Sequence, residues 1–404
     1  MHLAETAYQG RAGELVDLMH KPGRTEASRE GILAHLLAFA GNYIGRRTHM
    51  MIGDTTHYPL VWPLIIGDTA AGKGTSLAPV RRCFARLDEA YSTINIEPGL
   101  GSGEGLIERL SPKDDEDGNT VYPDPRLIVI EQEFTSVLRK GNREGSVLAQ
   151  TLQNARDGAP LGSLNRSSNA LRAPEHHVTV IGHITPRGFE SEVKPADLSN
   201  GFINRLLPIK VHTQAAVSRP AGMSSSDLDT AVGILRDSFS AAPHGEHSHT
   251  DSYWQAWDRT HESYRVSGDD QTAEALGRAR PQVHRVAMVY ALIDGAQQIG
   301  VPHLDAARAL VDYSMRTVRD QFADREVDRM AKVRAWVEKN GPGTSRDVRR
   351  AAWGGRHASS PNARDWFDSV VERGDLVPFS GEWNSPRWVP GREASDANRG
   401  NHGV

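Results

Sequence analysis

The chain has 404 residues, of which 38% are hydrophobic and 24% charged; this composition excludes wholesale disorder and predicts a soluble protein of more than one domain. Lys and Arg (47) nearly balance Asp and Glu (51), so the net charge of −4 excludes a global basic field for nucleic acid. The single cysteine excludes a disulfide framework and predicts a reducing, cytoplasmic location, while the absence of any apolar run near 20 residues predicts no membrane association.

The first 58 residues have the periodicity of helices. The apolar pairs at 32–33, 36–37 and 39–40 recur with a spacing near 3.6 residues, which places them on one helical face. Residues 1–58 are therefore predicted to form a helical cap that packs on the next domain.

Short, almost continuous apolar runs separated by long amphipathic segments follow this cap. Such runs are typical of buried parallel strands, which have no solvent-facing side. The sequence therefore predicts an α/β domain with a parallel sheet over residues 59–213, with strands in the runs 60–66, 127–130, 178–181 and 206–211.

The remainder of the chain changes character twice. Residues 214–325 are amphipathic and predict a helical lid domain. Residues 326–390 predict three short helices and then two apolar runs that flank a glycine-containing turn, the pattern of a winged helix-turn-helix. Residues 391–404 are polar and are predicted to be a disordered tail.

The segment after the first predicted strand has the spacing of a phosphate-binding P-loop and leads into a helix. Glycines allow consecutive backbone N–H groups to turn toward phosphate oxygens, and the helix N-terminus adds partial positive charge. Lys73 is predicted to bridge the terminal phosphates. Because Gly74 stands where the usual pattern has Ser or Thr, the hydroxyl of Thr75 or Ser76 is predicted to hold Mg²⁺. The predicted nucleotide-binding residues are Gly67, Asp68, Thr69, Ala70, Ala71, Gly72, Lys73, Gly74, Thr75 and Ser76.

A second apolar strand ends in carboxylates. Glu131 follows four apolar residues, so it is expected at the carboxyl edge of the sheet, level with the phosphates, where it can contribute to the metal site. Glu133 lies two residues further on, on the same side of an extended chain. Both are predicted to be catalytic, and which of them activates the attacking water is left open.

Four residues in the later part of the chain, two of them arginines, are candidate nucleotide contacts. His183, Thr185 and Arg285 are predicted to sense the terminal phosphate, although a histidine that packs its own loop is an equal alternative. Arg205 precedes the last predicted strand, where an arginine can reach the nucleotide of a neighbouring subunit. Alternatively, Arg205 forms a salt bridge within its own domain.

Two groups of basic residues are candidate DNA contacts. Arg139, Lys140 and Arg143 lie in a glycine-broken segment that can follow a phosphate backbone or simply be solvated. Arg364 in the third helix of the predicted winged helix, together with Arg387 of its wing, would contact the groove and the backbone. The alternative for this domain is a protein contact.

Taken in order, these segments resemble a known family: the largely uncharacterised P-loop ATPases of phages, plasmids and integrative elements, similar to the helicase-like C-terminal part of primase–polymerase proteins. The resemblance implies a RecA/AAA+-like P-loop NTPase core, ATP binding at Lys73 and Thr75, acidic function at Glu131 and Glu133, and an inter-subunit Arg205. It extends from about residue 34 to 322 and depends on residues 67–76, 99–107, 129–134, 181–185, 200–207, 285–292 and 303–307.

The leading hypothesis is an ATP-hydrolysing, DNA-associated motor or switch of a mobile genetic element, helicase-like or similar to a replication initiator. It would use ATP and Mg²⁺, bind DNA, and assemble with copies of itself into a hexameric ring or a filament. One alternative is an ATP-dependent DNA-binding regulator or defence component without helicase activity. The other, suggested by the Gly-Lys-Gly-Thr order at 72–75, is a nucleotide or small-molecule kinase.

Overall fold

The computed structural model divides the chain into two compact units, residues 1–319 and residues 320–404. The predicted tip of the wing, at 381–384, and the predicted tail beyond 391 lie outside the described residues. No helix among those described has the length and apolar character needed to cross a membrane. The structure describes residues 2–162, 171–194, 197–198, 200–266, 271–355, 358–359, 361–380 and 385–391.

The first unit mixes short strands with helices, and its last helix extends past the division at residue 319. The strands are β1 (Thr48–Ile52), β2 (Thr55–His57), β3 (Pro63–Ile66), β4 (Ile96–Pro98), β5 (Lys113–Asp114), β6 (Thr120–Val121), β7 (Arg126–Glu131), β8 (Leu161–Gly162), β9 (Arg172–Ala173), β10 (His177–Ile184), β11 (Leu207–Lys210) and β12 (Gly245–Glu246). The helices are α1 (Gly10–Met19), α2 (Arg29–Ile44), α3 (Lys73–Leu87), α4 (Glu89–Ile94), α5 (Gly103–Leu110), α6 (Phe134–Gly141), α7 (Leu148–Asp157), α8 (Pro186–Glu192), α9 (Ser225–Ala241), α10 (Asp251–Asp258), α11 (Gln271–Leu276), α12 (Ala279–Asp294) and α13 (Val301–Asn340).

A five-stranded parallel sheet forms the centre of the first unit, with the strand order β11-β3-β10-β7-β4. The predicted mixed α/β class with a parallel sheet is therefore confirmed. Every residue of β10 is buried, as expected for a central strand covered on both faces. The fifth strand, β4, was not predicted, because its three residues are too few to form an apolar run.

Helix α2 lies across the sheet and is part of the core. Of its 16 residues, 13 are buried, and it contacts four of the five strands. The side-chain amide of Asn42 donates to the carbonyls of Leu127 (3.1 Å) and His177 (2.9 Å), which belong to neighbouring strands. The N-terminal region, which also contains the unpredicted strands β1 and β2, thus completes the sheet domain.

The helices predicted as a lid also pack into the first unit. Helix α9 contacts α1 and α3, and α12 contacts α1 and α2. Strand β12 pairs in parallel with β1, so that Thr48 lies opposite Gly245. Residues 1–319 consequently form one compact unit, in which these helices and the parallel sheet pack together.

The second unit contains part of α13, the helices α14 (Ser345–Trp353) and α15 (Pro361–Glu372), and the antiparallel pair β13 (Leu376–Phe379) and β14 (Arg387–Pro390). Helix α14 begins with a capping box in which Thr344 and Asp347 satisfy each other's backbone amides. Gly343 forms a further antiparallel bridge with Trp388. The buried core of this unit is Met330, Val333, Val348, Ala352, Trp366, Phe367, Val370 and Leu376.

Seven histidines of the first unit that are buried or half-buried have pKa values lowered to about 3 or 4. Burial lowers the pKa of each, because the charged imidazolium loses its hydration inside the protein. The pKa falls to about 3 at His177 and His284, and to about 4 at His57, His176, His183, His247 and His249.

These histidines predict that acid destabilises the fold below neutral pH. Unfolding restores their ordinary pKa near 6.5, so between about pH 6.5 and pH 4 the unfolded chain binds more protons than the folded chain, and stability falls as pH falls. Above pH 6.5 the histidines are neutral in both states and contribute no slope. Scanning calorimetry should give a melting temperature at pH 5 roughly 10 °C or more below that at pH 7.5. Equal melting temperatures would show that the histidines are not buried.

Candidate nucleotide-binding site

The loop between β3 and α3 contains two residues in the left-handed backbone region. Ala70 has a φ of 67° and Gly72 a φ of 73°, so the chain enters the left-handed region twice just before the helix. A Cβ on Gly72 would lie 2.6 Å from the carbonyl oxygen of Glu26, so only glycine fits there. A Cβ on Gly74 would meet nothing within 4 Å, which leaves open space beside the first turn of α3.

The ammonium group of Lys73 lies inside this bend. Its Nζ donates to the carbonyl oxygens of Gly67 (2.6 Å) and Asp68 (2.8 Å). Partial burial lowers the pKa of Lys73, while the negative charges of Asp68 and Glu133 act in the opposite direction. The lysine side chain is thus held over the loop beside the amides of the first helical turn, where a phosphate can replace carbonyl oxygens as its partner.

The two hydroxyl groups that follow Lys73 have different environments. Ser76 is fully buried: its Oγ donates to the carbonyl of Gly72 (2.9 Å) and accepts from the amide of Ser28 (3.0 Å). Thr75 is exposed on the first turn of α3. The hydroxyl of Ser76 is therefore committed to holding α3 against the start of α2, and Thr75 is the hydroxyl available to a ligand.

Glu131 ends β7 and fixes a neighbouring loop. Its side chain is buried, and its Oε2 accepts a 2.9 Å hydrogen bond from the amide of Leu100. Lys140 donates to the carbonyl of the same Leu100, at 2.7 Å. A residue predicted to contact DNA thus anchors, together with Glu131, the loop between β4 and α5.

Glu133 is arranged differently. It is exposed, it lies at the N-terminal end of α6 without capping that helix, and its negative charge partly opposes the lowering of the pKa of Lys73 by burial. Glu133 therefore acts on the lysine of the loop through its charge, whereas Glu131 is hydrogen-bonded to Leu100. The two carboxylates lie at the same sheet edge with different partners.

His183 is in the same neighbourhood, between the loop and α2. Its Nε2 lies 3.0 Å from Nε2 of His35, and burial followed by the positive charge of Lys73 lowers its pKa to about 4. The predicted sensor is therefore neutral and oriented by a histidine of α2. Sequence reasoning missed His35, although a single polar residue inside the apolar run of α2 signals that it has a buried partner.

The other two predicted sensors have different contacts. Thr185 is the N-cap of α8, where its hydroxyl accepts from the amide of Gly188 at 3.0 Å. Arg285 is buried and its Nε donates to Nδ1 of His57 at 3.2 Å; burial lowers the pKa of its guanidinium to about 10. The structure does not bring Arg285 to Lys73.

Arg205 belongs to a charged cluster that we call the arginine cluster: Asp157, Arg205 and Arg278. Asp157 accepts from Nη2 of Arg205 (2.7 Å) and from Nη1 of Arg278 (2.8 Å). The salt bridge within the domain, one of the two alternatives for Arg205, is thus present. The side chain of Arg205 is 9% exposed, and those of Asp157 and Arg278 are about one-third exposed.

The arginine cluster lies at the opposite edge of the sheet from the loop between β3 and α3. Leu207 pairs with Pro63 and Lys210 pairs with Ile66, so Arg205 precedes the amino end of these parallel strands and the loop follows their carboxyl end. A four-residue strand separates the two by roughly 13 Å. Arg205 therefore lies at the other end of these strands from the loop that follows β3 in its own chain.

The remaining predicted DNA contacts belong to both units of the chain. Arg139 forms an ion pair with Glu192 (2.6 Å), and Arg143 is exposed. In the second unit Arg364 is exposed on α15, and Arg387 lies 3.8 Å from the carboxylate of Asp347.

A cleft of about 430 Å³ opens beside Glu131 at the carboxyl ends of β4 and β7. Apolar walls from both strands surround a few polar side chains, a composition typical of small-molecule sites. The cleft is lined by Arg81, Ile96, Glu97, Pro98, Gly99, Ile130, Glu131 and Gln132.

The residues at the loop fit a nucleotide-bound magnesium ion. Magnesium takes oxygen ligands, usually one or two from protein, with phosphate and water completing the shell. The exposed hydroxyl of Thr75 and the carboxylates of Glu131 and Glu133 supply such oxygens at one sheet edge. Within the described ranges, no three or more His, Cys, Asp or Glu side chains cluster to form a metal site independent of a ligand.

Comparison with known proteins leaves the family open. No protein-family model matches the chain, and no curated protein sequence matches it. Among solved structures, it is similar to a full-length MCM homolog from Methanopyrus kandleri, with a TM-score of 0.41 and 14% sequence identity. The match covers 78% of this chain and 60% of that chain, so the present chain spans less than two-thirds of the length of that protein.

The different roles of Thr75 and Ser76 are separable by mutation. Ser76→Ala should lower the free energy of unfolding by about 1–3 kcal/mol, because the buried amide of Ser28 loses its acceptor. Thr75→Ala should leave stability unchanged and weaken magnesium-dependent nucleotide binding. Chemical denaturation and titration with a nucleotide, with and without Mg²⁺, measure the two effects. A stable Ser76→Ala variant that loses magnesium dependence would reverse the assignment.

Proposed function

We propose that this chain is a P-loop ATPase that hydrolyses ATP in association with DNA, as an oligomeric, helicase-like motor or switch of a mobile genetic element. The observation that carries the proposal is the position of Lys73, whose ammonium group lies inside a left-handed bend at the N-terminus of α3. An ammonium group, free helix amides and carboxylates at one sheet edge are the parts that phosphoryl transfer needs.

In the proposed complex, the triphosphate occupies the open space beside Gly74, and Lys73 exchanges its two loop carbonyls for phosphate oxygens. The amides of the first turn of α3 donate to the same phosphates. Thr75 would hold the magnesium ion, with Glu131 nearby. When bound, Mg²⁺ neutralises phosphate charge and aligns the terminal phosphate for displacement.

In this proposal Glu133 has a catalytic role and Glu131 also has a structural one. Glu133 is exposed beside Lys73, so it is the carboxylate that accepts a proton from the attacking water. The water oxygen bonds to the γ-phosphorus, the bond to the β-phosphate oxygen breaks, and ADP and phosphate leave. Glu131 keeps the loop at Leu100 in place through its hydrogen bond to the amide.

Arg205 is proposed to act on the nucleotide of a neighbouring copy. It cannot serve its own P-loop, because the length of β11 lies between them. Asp157 holds Arg205 and Arg278 side by side, two guanidinium groups against one carboxylate, so the cluster keeps a net positive charge for an incoming phosphate. Assembly into a ring or filament would bring this edge of one chain to the loop of the next.

Replacing the loop lysine tests the ATPase assignment. Lys73→Ala should lower ATP turnover about 100-fold or more, because the variant loses the cation that stabilises phosphate charge in the transition state. Phosphate release measured without DNA, and with single-stranded, duplex and forked DNA, shows both the loss and any stimulation by DNA. Lys113→Ala, an exposed lysine in the short hairpin strand β5, is the matched control and should keep wild-type activity. Equal activity in wild type and Lys73→Ala would refute the assignment.

A mixture of two inactive variants tests whether Arg205 acts between chains. Lys73→Ala chains keep the arginine and Arg205→Ala chains keep the loop, so neither alone should hydrolyse ATP. In a one-to-one mixture, about one interface in four joins an intact loop to an intact arginine, and activity should reappear in that proportion.

The control for this mixture is Arg265→Ala, which removes an exposed arginine outside the arginine cluster and should be fully active alone. Size-exclusion chromatography with an ATP analogue establishes that mixed oligomers form. Assembly without recovered activity, or full activity of Arg205→Ala by itself, contradicts an arginine that acts across subunits.

One observation favours a second candidate, phosphoryl transfer to a nucleotide or small molecule. The cleft beside Glu131 has a volume suited to a small acceptor and presents Arg81 and Glu97 at its walls. Chromatography of the reaction products separates the two functions, since an ATPase releases free phosphate and a kinase yields a phosphorylated acceptor.

A further inference from the structure

The two short helices of the second unit differ in the charge they expose. On α14, Arg346 and Arg350 are exposed and Arg349 is half-buried. Residues spaced by three and four positions share one side of a helix, so the three arginines form a continuous basic face. The only carboxylate on this helix, Asp347, is half-buried and engaged by Thr344 in the capping box.

Helix α15 exposes mainly acidic side chains, in contrast to α14. Its apolar side, with Trp366, Phe367 and Val370, is buried in the core of the unit. Its described exposed residues include one arginine and three acidic residues: Arg364, Asp365, Asp368 and Glu372. A helix with this surface repels a phosphate backbone on approach, so α15 is a poor choice for the DNA-contacting helix that the sequence predicted.

The wing strand adds to the α14 side. Arg387, the first residue of β14, lies 3.8 Å from the carboxylate of Asp347, and its guanidinium donates to the carbonyl of Pro342. Both partners are in the segment that leads into α14 or in its first turn. The wing arginine therefore extends the basic face of α14.

We infer that the second unit binds DNA through a surface formed by Arg346, Arg349, Arg350 and Arg387, which we call the α14 face, and that the surface contacts the phosphate backbone. This inference rests on the proposed function, because it names the DNA-contacting surface of a protein proposed to act on DNA. Four guanidinium groups against one engaged carboxylate are complementary to a polyanion.

The composition of the α14 face determines the kind of contact. Backbone contacts position a protein on the duplex and carry no sequence information, whereas sequence is read by side chains that reach base edges. Helix α14 is nine residues long, its cap is occupied by Thr344 and Asp347, and its cationic side chains are the three arginines. Of these, Arg349 also donates from Nε to the carbonyl of Ser345 at 3.1 Å. The surface is therefore expected to bind duplexes of unrelated sequence equally well.

The experiment measures how the affinity for a labelled duplex depends on salt. The slope of log K against log salt is negative, and each lost phosphate contact reduces its magnitude by about one. Arg346→Ala/Arg350→Ala in the full chain should therefore reduce the magnitude of the slope by about two. The Arg346→Lys/Arg350→Lys variant should restore binding, since phosphates accept from lysine as well. Arg364→Ala is the matched control on α15 and should leave the slope unchanged.

The possible results separate this inference from the proposed function. A wild-type slope in the double alanine variant, or a reduced slope in Arg364→Ala, would overturn the α14 face, as would a wild-type chain that binds no duplex. ATP turnover without DNA, measured on the same preparations, tests the proposed ATPase independently. Both substituted arginines of α14 are exposed, so thermal melting should show that the variants fold like the wild type.

Discussion

A parallel sheet brings the carboxyl ends of all its strands to one edge, and every proposed step of the chemistry depends on this constraint. Because β3, β10 and β7 are neighbours with the same direction, the loop after β3, His183 of β10 and the carboxylates after β7 meet although more than 100 residues separate the first from the second. The same constraint sends Arg205 to the far edge. Strand direction alone thus determines on which edge of the sheet Lys73, the two carboxylates and Arg205 lie.

The loop between β3 and α3 also depends on the segment that precedes α2, which packs against it. The carbonyl of Glu26 touches the space where a side chain on Gly72 would lie, and the amide of Ser28 bonds the hydroxyl of Ser76. Both partners precede α2, a helix buried across the sheet. The N-terminal region is thus part of the proposed nucleotide site: it holds the start of α3 and orients His183 through His35. Separation of this region from the sheet would expose the core and release the loop together.

Local pattern predicted the parallel sheet and the position of the loop, because apolar runs and glycine spacing are properties of neighbouring residues. It could not predict contacts between distant segments. The sequence places Lys140 in a basic segment that can be solvated, whereas in the structure Lys140 donates a hydrogen bond to the carbonyl of Leu100. Arg205 forms an ion pair with Asp157, 48 positions earlier. Strand β4 escaped notice because a strand at the edge of the sheet needs only three residues. The acidic character of the exposed side of α15 depends on which residues of the helix are buried, and the structure alone shows this.

Nucleotide binding at the bend before α3 is the central claim, and isothermal titration of the full chain with a non-hydrolysable ATP analogue and Mg²⁺ tests it most directly. Occupancy of the open space beside Gly74 predicts saturable heat with one site per chain. It also predicts that this heat disappears when an aspartate is placed at Gly74, where it would fill the space and repel phosphate. No heat with the wild-type chain, or the same heat with Gly74→Asp, would contradict the account.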